Sequence, residues 1–249
     1  MSGHSKWSTI KRDKAKNDSA RGRIFTRLIR EITLSAREGG GNPEGNPRLR
    51  TAVQDAKQQN MPQDNIKRAI QRGTGELPGQ TLEEVTYEGY GPSGVAVLVQ
   101  CVTDNKLRTV SEVRHIFSRF GGSMAESGAV AWIFQRQGQI IVDANGVRED
   151  ELFEAAVDAG AENIEPQEKT FVVSTPIRDL YSVRSAIEAK GYSVVEADMV
   201  MAPSTTVQLN EEQASKFMKL FDALDENDDV QKTWANFDIS DEIMVKLSA

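Results

Sequence analysis

GQIIVDANGVREDELFEAAVDAGAENIEPQEKTFVVSTPIRDLYSVRSAIEAKGYSVVEADMVM (Gly138–Met201) is the stretch whose periodicity decides the fold. QIIVDA, TFVVST and YSVVEADMVM carry the β-branched, apolar runs of strands, and a short strand lies around Ile164. Between them, Glu149 to Ala159 and Ile177 to Lys190 repeat their apolar residues at helical spacing. The order is βαββαβ, the split βαβ arrangement of a ferredoxin-like unit.

Outward from this block, the pattern on either side is half of something. On the N-terminal side, VTYEGY and GVAVLVQCV read as strands joined at Gly91-Pro92-Ser93-Gly94. A helix from Thr109 to Phe120 follows, with Val110, Val113, Phe117 and Phe120 inward, and AVAWIF (129–134) reads as a third strand. On the C-terminal side, STTVQL is a strand, 210–225 a helix and VQKTWANFDI (230–239) a strand. The two halves predict one discontinuous α/β domain, 79–137 with 203–249, into which 138–202 is inserted. Ahead of it, TGELPGQTLEE (74–84) reads as a linker.

Residues 1–78 predict a basic arm and three helices. The first helix, Ser19 to Arg37, places Ile24, Leu28 and Ile32 four apart, with Phe25 and Ile29 beside them, and Gly39-Gly40-Gly41 ends it. Asn46-Pro47 caps and opens a second helix with Leu49, Val53 and Ala56 inward. Pro62 opens a third around Ile66, Ala69 and Ile70, closed by Gly73. The expected fold class is α+β: an N-terminal three-helix domain followed by two ferredoxin-like α/β domains, one inserted in the other.

Charge is distributed unevenly along the 249 residues. The net charge of −7 divides into 16 Lys and Arg against 7 Asp and Glu over residues 1–75, and 14 against 30 over the remainder. Exposed charges are screened over about 8 Å, so a local basic surface sets the field that a polyanion meets. The expected nucleic-acid contacts are Lys6, Trp7, Lys11, Arg12, Lys14, Lys16, Arg21, Arg23, Arg27 and Arg30. Lys and Arg bind phosphates by displacing condensed counterions, and Trp7 offers a ring on which a base can stack. Residues 3–18 read as a mobile arm, whereas Arg23, Arg27 and Arg30 share one face of the first helix. Tyr90, in the glycine-rich link between strands, and Arg108 and Arg114, on the helix after TDN, are secondary candidates.

Other chemistries find little support. Gly89, Gly91 and Gly94 match GxGxxG, but a strand follows them where a dinucleotide site needs a helix. His4, His115 and Cys101 have no zinc spacing, and there is no HExxH, GxSxG or P-loop lysine. Asp104 or Asn105 reads as a helix cap, and Asp225, Glu226, Asp228 and Asp229 as a solvated helix end rather than a cation loop. Cys101, in an apolar run, reads as a buried small hydrophobe. No catalytic residue, cofactor, metal or small-molecule substrate is expected. With no apolar run of about 20 residues and no signal-peptide h-region, the expected product is a cytoplasmic, non-enzymatic monomer.

GHSKW (3–7), RGRIFTRLIREI (21–32), NPRLRTAV (46–53), NMP-DNI-RAI-RG (60–73), YEGYGPSGVAVLV (87–99), TDN-RT-SEVRH-F (103–117) and DDVQ (228–231) together resemble the YebC/PmpR family, nearly end to end. Its mitochondrial relative is the translational activator of cytochrome oxidase subunit one. The resemblance implies a three-domain, non-enzymatic protein. It implies either a ribosome-associated factor that contacts rRNA or tRNA and relieves stalling, notably at consecutive prolines, or a DNA-binding transcriptional regulator.

Overall fold

The computed structural model describes residues 18–167 and 169–248, and of these the side chains of 18–21, 241 and 248 are not described. The chain divides into two compact units, one formed by residues up to Ala131 together with Thr205 onward, the other by Trp132–Ser204.

The first unit begins with three helices, α1 (Asp18–Gly39), α2 (Pro47–Gln58) and α3 (Gln63–Gly73). Their core holds Ile32, Ala36, Leu49, Ala52, Val53, Ala56, Met61, Ile66 and Ala69, with Phe25, Leu28 and Ile29 packed on it. The inward stripe of α1 is therefore 25-28-29-32-36 and excludes Ile24, which is half-buried away from this core. The expected Ile24–Leu28–Ile32 line is displaced because the spacing of the packed residues drifts with the 3.6-residue turn. Asn46 joins the first two helices: its Oδ1 accepts the Leu49 N–H at 3.1 Å, and its Nδ2 donates to the Ser35 and Gly40 carbonyls at 2.8 and 2.9 Å. At Gly73 a Cβ would lie 2.4 Å from the Thr33 carbonyl oxygen, so the crossing of α1 and α3 admits only glycine there.

The same unit continues as β1 (Glu83–Tyr90), β2 (Ala96–Thr103), α4 (Lys106–Arg119) and β3 (Ser123–Ala125). In the other unit follow β4 (Phe134–Asp143), α5 (Glu149–Asp158), β5 (Asn163–Pro166), β6 (Thr170–Thr175), α6 (Leu180–Ala189) and β7 (Val194–Pro203). The chain returns through β8 (Val207–Gln208), α7 (Glu211–Glu226), β9 (Val230–Ala235), β10 (Phe237–Asp238) and α8 (Asp241–Ser248).

The first sheet has the order β3-β1-β2-β9, with antiparallel neighbours, and β8 and β10 form a separate parallel pair. Val97, Val99 and Cys101 on one face of β2 pack against Val113 and Phe117 of α4 and Phe217, Leu220 and Leu224 of α7. The Phe217 and Phe237 rings lie 5.0 Å apart at 47°. The second sheet has the order β5-β6-β4-β7, all antiparallel, with α5 and α6 burying Leu152, Ala156, Val183 and Ile187. That is the strand order of the βαββαβ unit. The α+β expectation holds: helices first, then antiparallel sheets carrying helices.

Two local expectations fail. AVAWIF is not a strand; Ala131–Ile133 is a short 3₁₀ turn, and only Phe134 joins a strand, β4. The N–H groups of Gly128, Val130 and Ala131 are taken by the buried Glu88 carboxylate at 2.6, 2.8 and 2.8 Å, which withdraws these donors from any ladder. The third strand is SMA (123–125), too short to show an alternation. VQKTWANFDI breaks at Asn236, whose Oδ1 accepts the Ala96 N–H at 2.8 Å and whose Nδ2 donates to the Thr205 carbonyl at 3.1 Å. Helix α8 was not anticipated.

The GxGxxG match is explained by packing. A Cβ on Gly89 would fall 2.7 Å from both the Phe117 ring and the Ser123 carbonyl oxygen, and one on Gly91 2.8 Å from the Phe217 ring. Only Gly94 needs its left-handed backbone, at φ +75°. Gly89→Ala is therefore expected to destabilise the first unit by about 1–3 kcal/mol through overpacking. A urea midpoint unchanged from wild type would refute it.

Candidate nucleic-acid interface

Lys6, Trp7, Lys11, Arg12, Lys14 and Lys16 lie outside the described residues, as does the Arg21 side chain. Of the remaining expected contacts on α1, Arg23 is half-buried. Arg27 and Arg30 are engaged within the protein. The Arg27 Nη1 lies 3.1 Å from Asp225 Oδ1, and its Nη2 donates to the Asp225 carbonyl. The Arg30 Nη2 lies 3.0 Å from Asp229 Oδ1, and its Nη1 donates to the Asp228 carbonyl.

Asp229 is the centre of this arrangement and is 3% exposed. Its Oδ2 accepts the Thr109 hydroxyl at 2.7 Å, Arg108 Nη2 at 2.8 Å and the Thr103 hydroxyl at 3.2 Å. Its backbone carbonyl takes the Val102 N–H at 2.9 Å. One carboxylate thus ties α1, the end of β2, the start of α4 and the turn between α7 and β9. Burial pushes this carboxyl up, but the hydrogen bonds from Arg108 and Thr109 and the charges of Arg30 and Arg108 hold it below the ordinary aspartate value. The expected solvated helix end is therefore corrected at Asp229: a charge reaches the interior because two guanidiniums and two hydroxyls meet it there. Thr109, not Val110, is the buried residue in the first turn of α4, because Asp229 takes its hydroxyl.

Asn105 caps α4, its Oδ1 accepting the Arg108 N–H at 3.1 Å. Arg108 also pairs with Asp104 at 3.0 Å. Arg114 is exposed on α4. Tyr90 is 39% exposed and donates to the Ala129 carbonyl at 3.2 Å, so its ring lies over the segment that Glu88 anchors. The structure therefore brings Arg27, Arg30 and Arg108 around one acidic turn and leaves Tyr90 and Arg114 apart from them.

Sequence reading did not single out Arg48, which reaches Glu31 at 2.7 Å, Glu38 at 2.8 Å and Glu84 at 2.8 Å, holding α2 to α1 and to β1. Nor did it single out Lys57, Lys67, Arg68 and Arg72, exposed cations of the helical segment. Their signal was the local charge balance alone. Cys101 is fully buried, and burial with the nearby Asp229 charge pushes its thiol up to about 12, so it stays protonated. Among the described residues no cluster of His, Cys, Asp and Glu has the geometry of a metal site, and no helix is long and apolar enough to cross a membrane.

Residues 5–76 match the family profile described as the TACO1/YebC protein N-terminal domain, and residues 82–237 the one described as the TACO1/YebC second and third domain. A "probable transcriptional regulatory protein" of Syntrophus aciditrophicus is 55% identical over 250 residues, covering 100% of both chains. One of the same description from Acidithiobacillus ferrooxidans is 55% identical, covering 100% of this chain and 99% of its own. The crystal structure of a conserved hypothetical protein from Aquifex aeolicus superposes with a TM-score of 0.84 at 50% identity, covering 91% of this chain and 93% of that one.

Proposed function

The chain belongs to the TACO1/YebC family, and from that membership we propose that it is a non-enzymatic, nucleic-acid-binding regulator of gene expression that acts on the ribosome. In this reading it contacts rRNA or tRNA and relieves stalling, with consecutive prolines as the stalling sequence. The observation that carries the nucleic-acid part is the charge split: 16 cations against 7 anions in the first 75 residues of a chain whose net charge is −7. The contact set is Lys6, Trp7, Lys11, Arg12, Lys14, Lys16 and Arg21, with Arg23 continuing it on α1. Arg27 and Arg30 hold that helix to the acidic turn and so act as positioning residues. Tyr90, Arg108 and Arg114 remain secondary contacts. The protein works as a monomer, without a cofactor, in the cytoplasm.

The helical segment gives RNA the preference over a specific DNA site. A groove-reading helix presents side chains to base edges, and such proteins commonly dimerise on two half-sites. Here Arg27 and Arg30 of the basic helix face the protein itself. A sequence-tolerant basic segment suits irregular RNA. The second reading, a DNA-binding transcriptional regulator, is favoured by the relatives' names.

Crosslinking in cells followed by sequencing of both RNA and DNA tests the choice. Enrichment of rRNA or tRNA, together with increased ribosome pausing at proline runs in a deletion strain, is the expected result. Enrichment confined to particular promoters, with pausing unchanged, would replace this reading with the second.

A further inference from the structure

In the inserted unit, β4 outruns its neighbour. It pairs with β7 from Phe134 to Val142, but with β6 only from Gly138 to Asp143. The β6 ladder stops at Thr175 because Pro176 has no N–H to give and the chain then turns through Ile177–Asp179. Among the described residues, 134–137 thus have a strand partner on one side only. A cavity of about 380 Å³ occupies the other side, lined by Gln135, Arg136, Gln137, Glu162, Ile177 and Arg178, with Pro176 at its edge. That volume is within the range of ligand sites, about 300–1,000 Å³.

Its charge runs against that of its unit. Residues 132–204 hold six Lys and Arg against thirteen Asp and Glu, yet two of those six, Arg136 and Arg178, line this one cavity. Arg178 is 85% exposed at its side chain, with Asp179 at 3.2 Å, and Arg136 is exposed. Ile177, 43% exposed, supplies an apolar wall. An open strand edge offers alternating N–H and C=O groups, which a peptide backbone complements and a phosphodiester does not. Glu162 opposes a uniformly anionic strand but accepts a peptide N–H.

We propose that the notch between Gln135–Gln137 and Pro176–Arg178 binds a short, extended, acidic peptide segment of a protein partner. The peptide adds as a strand where β6 has stopped, and Arg136 and Arg178 take its carboxylates. This site is independent of the basic N-terminal segment and of the function proposed above.

The test uses ¹⁵N-labelled full-length protein titrated with the acidic heptapeptide VEVEVEV, its lysine counterpart VKVKVKV, and a seven-residue oligouridylate. The acidic peptide is expected to shift amides at 135–138, 162 and 177–178, and Arg136→Glu with Arg178→Glu to weaken it about tenfold while the other amides stay in place. Two versions of the peptide N-methylated at alternate positions, in opposite phase, separate strand addition from simple charge attraction: one phase is expected to bind and the other to fail. Equal binding of both phases, equal binding of the lysine peptide, or no shifts at millimolar peptide would overturn the proposal. Shifts produced only by the oligouridylate would overturn it in favour of a nucleic-acid strand.

Discussion

Asp229→Ala is expected to cost the first unit about 2–4 kcal/mol, read as a lowered urea midpoint. Removing one partner of a buried ionic network leaves the others uncompensated, at about 3–5 kcal/mol where all are buried. Arg30 is 18% and Arg108 43% exposed at their side chains, so water recovers part of that cost. The buried Thr103 hydroxyl loses this acceptor and adds to it, whereas the Thr109 hydroxyl can turn to the Asn105 carbonyl at 3.0 Å. Asp229→Asn retains an acceptor oxygen and should cost about half as much. The carboxyl is held below its ordinary value in the folded state, so its contribution is complete above the unfolded-chain pKa of about 3.9 and is lost as pH falls through the lower folded value. Wild type should therefore lose stability on acidification in that interval, and the Asp229→Asn variant should lose less there. A loss under about 0.5 kcal/mol for Asp229→Ala, the level of an ordinary surface substitution, would mean the network holds nothing.

What could be read beforehand divides along physical lines. The helices and the βαββαβ block were legible because burial on one face imposes a period on the sequence, as at Leu49-Val53-Ala56 and in TFVVST. The cap at Asn46 was legible because Asn-Pro has one favourable place at a helix start. AVAWIF was not, since its apolar residues resemble a strand while its backbone donors go to Glu88, 40 residues or more away in sequence. Asp229 was hidden for the same reason. An acidic run after a helix looks solvated unless one knows that Arg30 and Arg108 converge on it from 199 and 121 residues away. Charge alone marked Arg27 and Arg30 as candidates for a polyanion. Their partners in space, Asp225 and Asp229, also tie them to the protein itself, a distinction that spacing cannot make.

That distinction fixes how two charge reversals should differ. Replacing Lys11, Arg12, Lys14 and Lys16 together by Glu is expected to reduce affinity for a structured RNA by at least about 100-fold at low salt, with the fold's urea midpoint unchanged. Each phosphate neutralised contributes about 0.7–0.9 to the slope of log K against log salt, so four contacts carry a slope near −3. Between 50 and 200 mM salt the wild-type protein should therefore weaken by about 50- to 150-fold more than the variant. Arg27→Glu with Arg30→Glu should behave in the opposite way. It places new carboxylates against Asp225 and Asp229, so the urea midpoint should fall while the salt slope changes little. If the four-residue reversal left both affinity and slope unchanged, the N-terminal segment would not be the polyanion contact. If the Arg27 and Arg30 reversal flattened the slope without destabilising the fold, those arginines would face the nucleic acid, and the acidic turn would be their resting partner rather than their structural one.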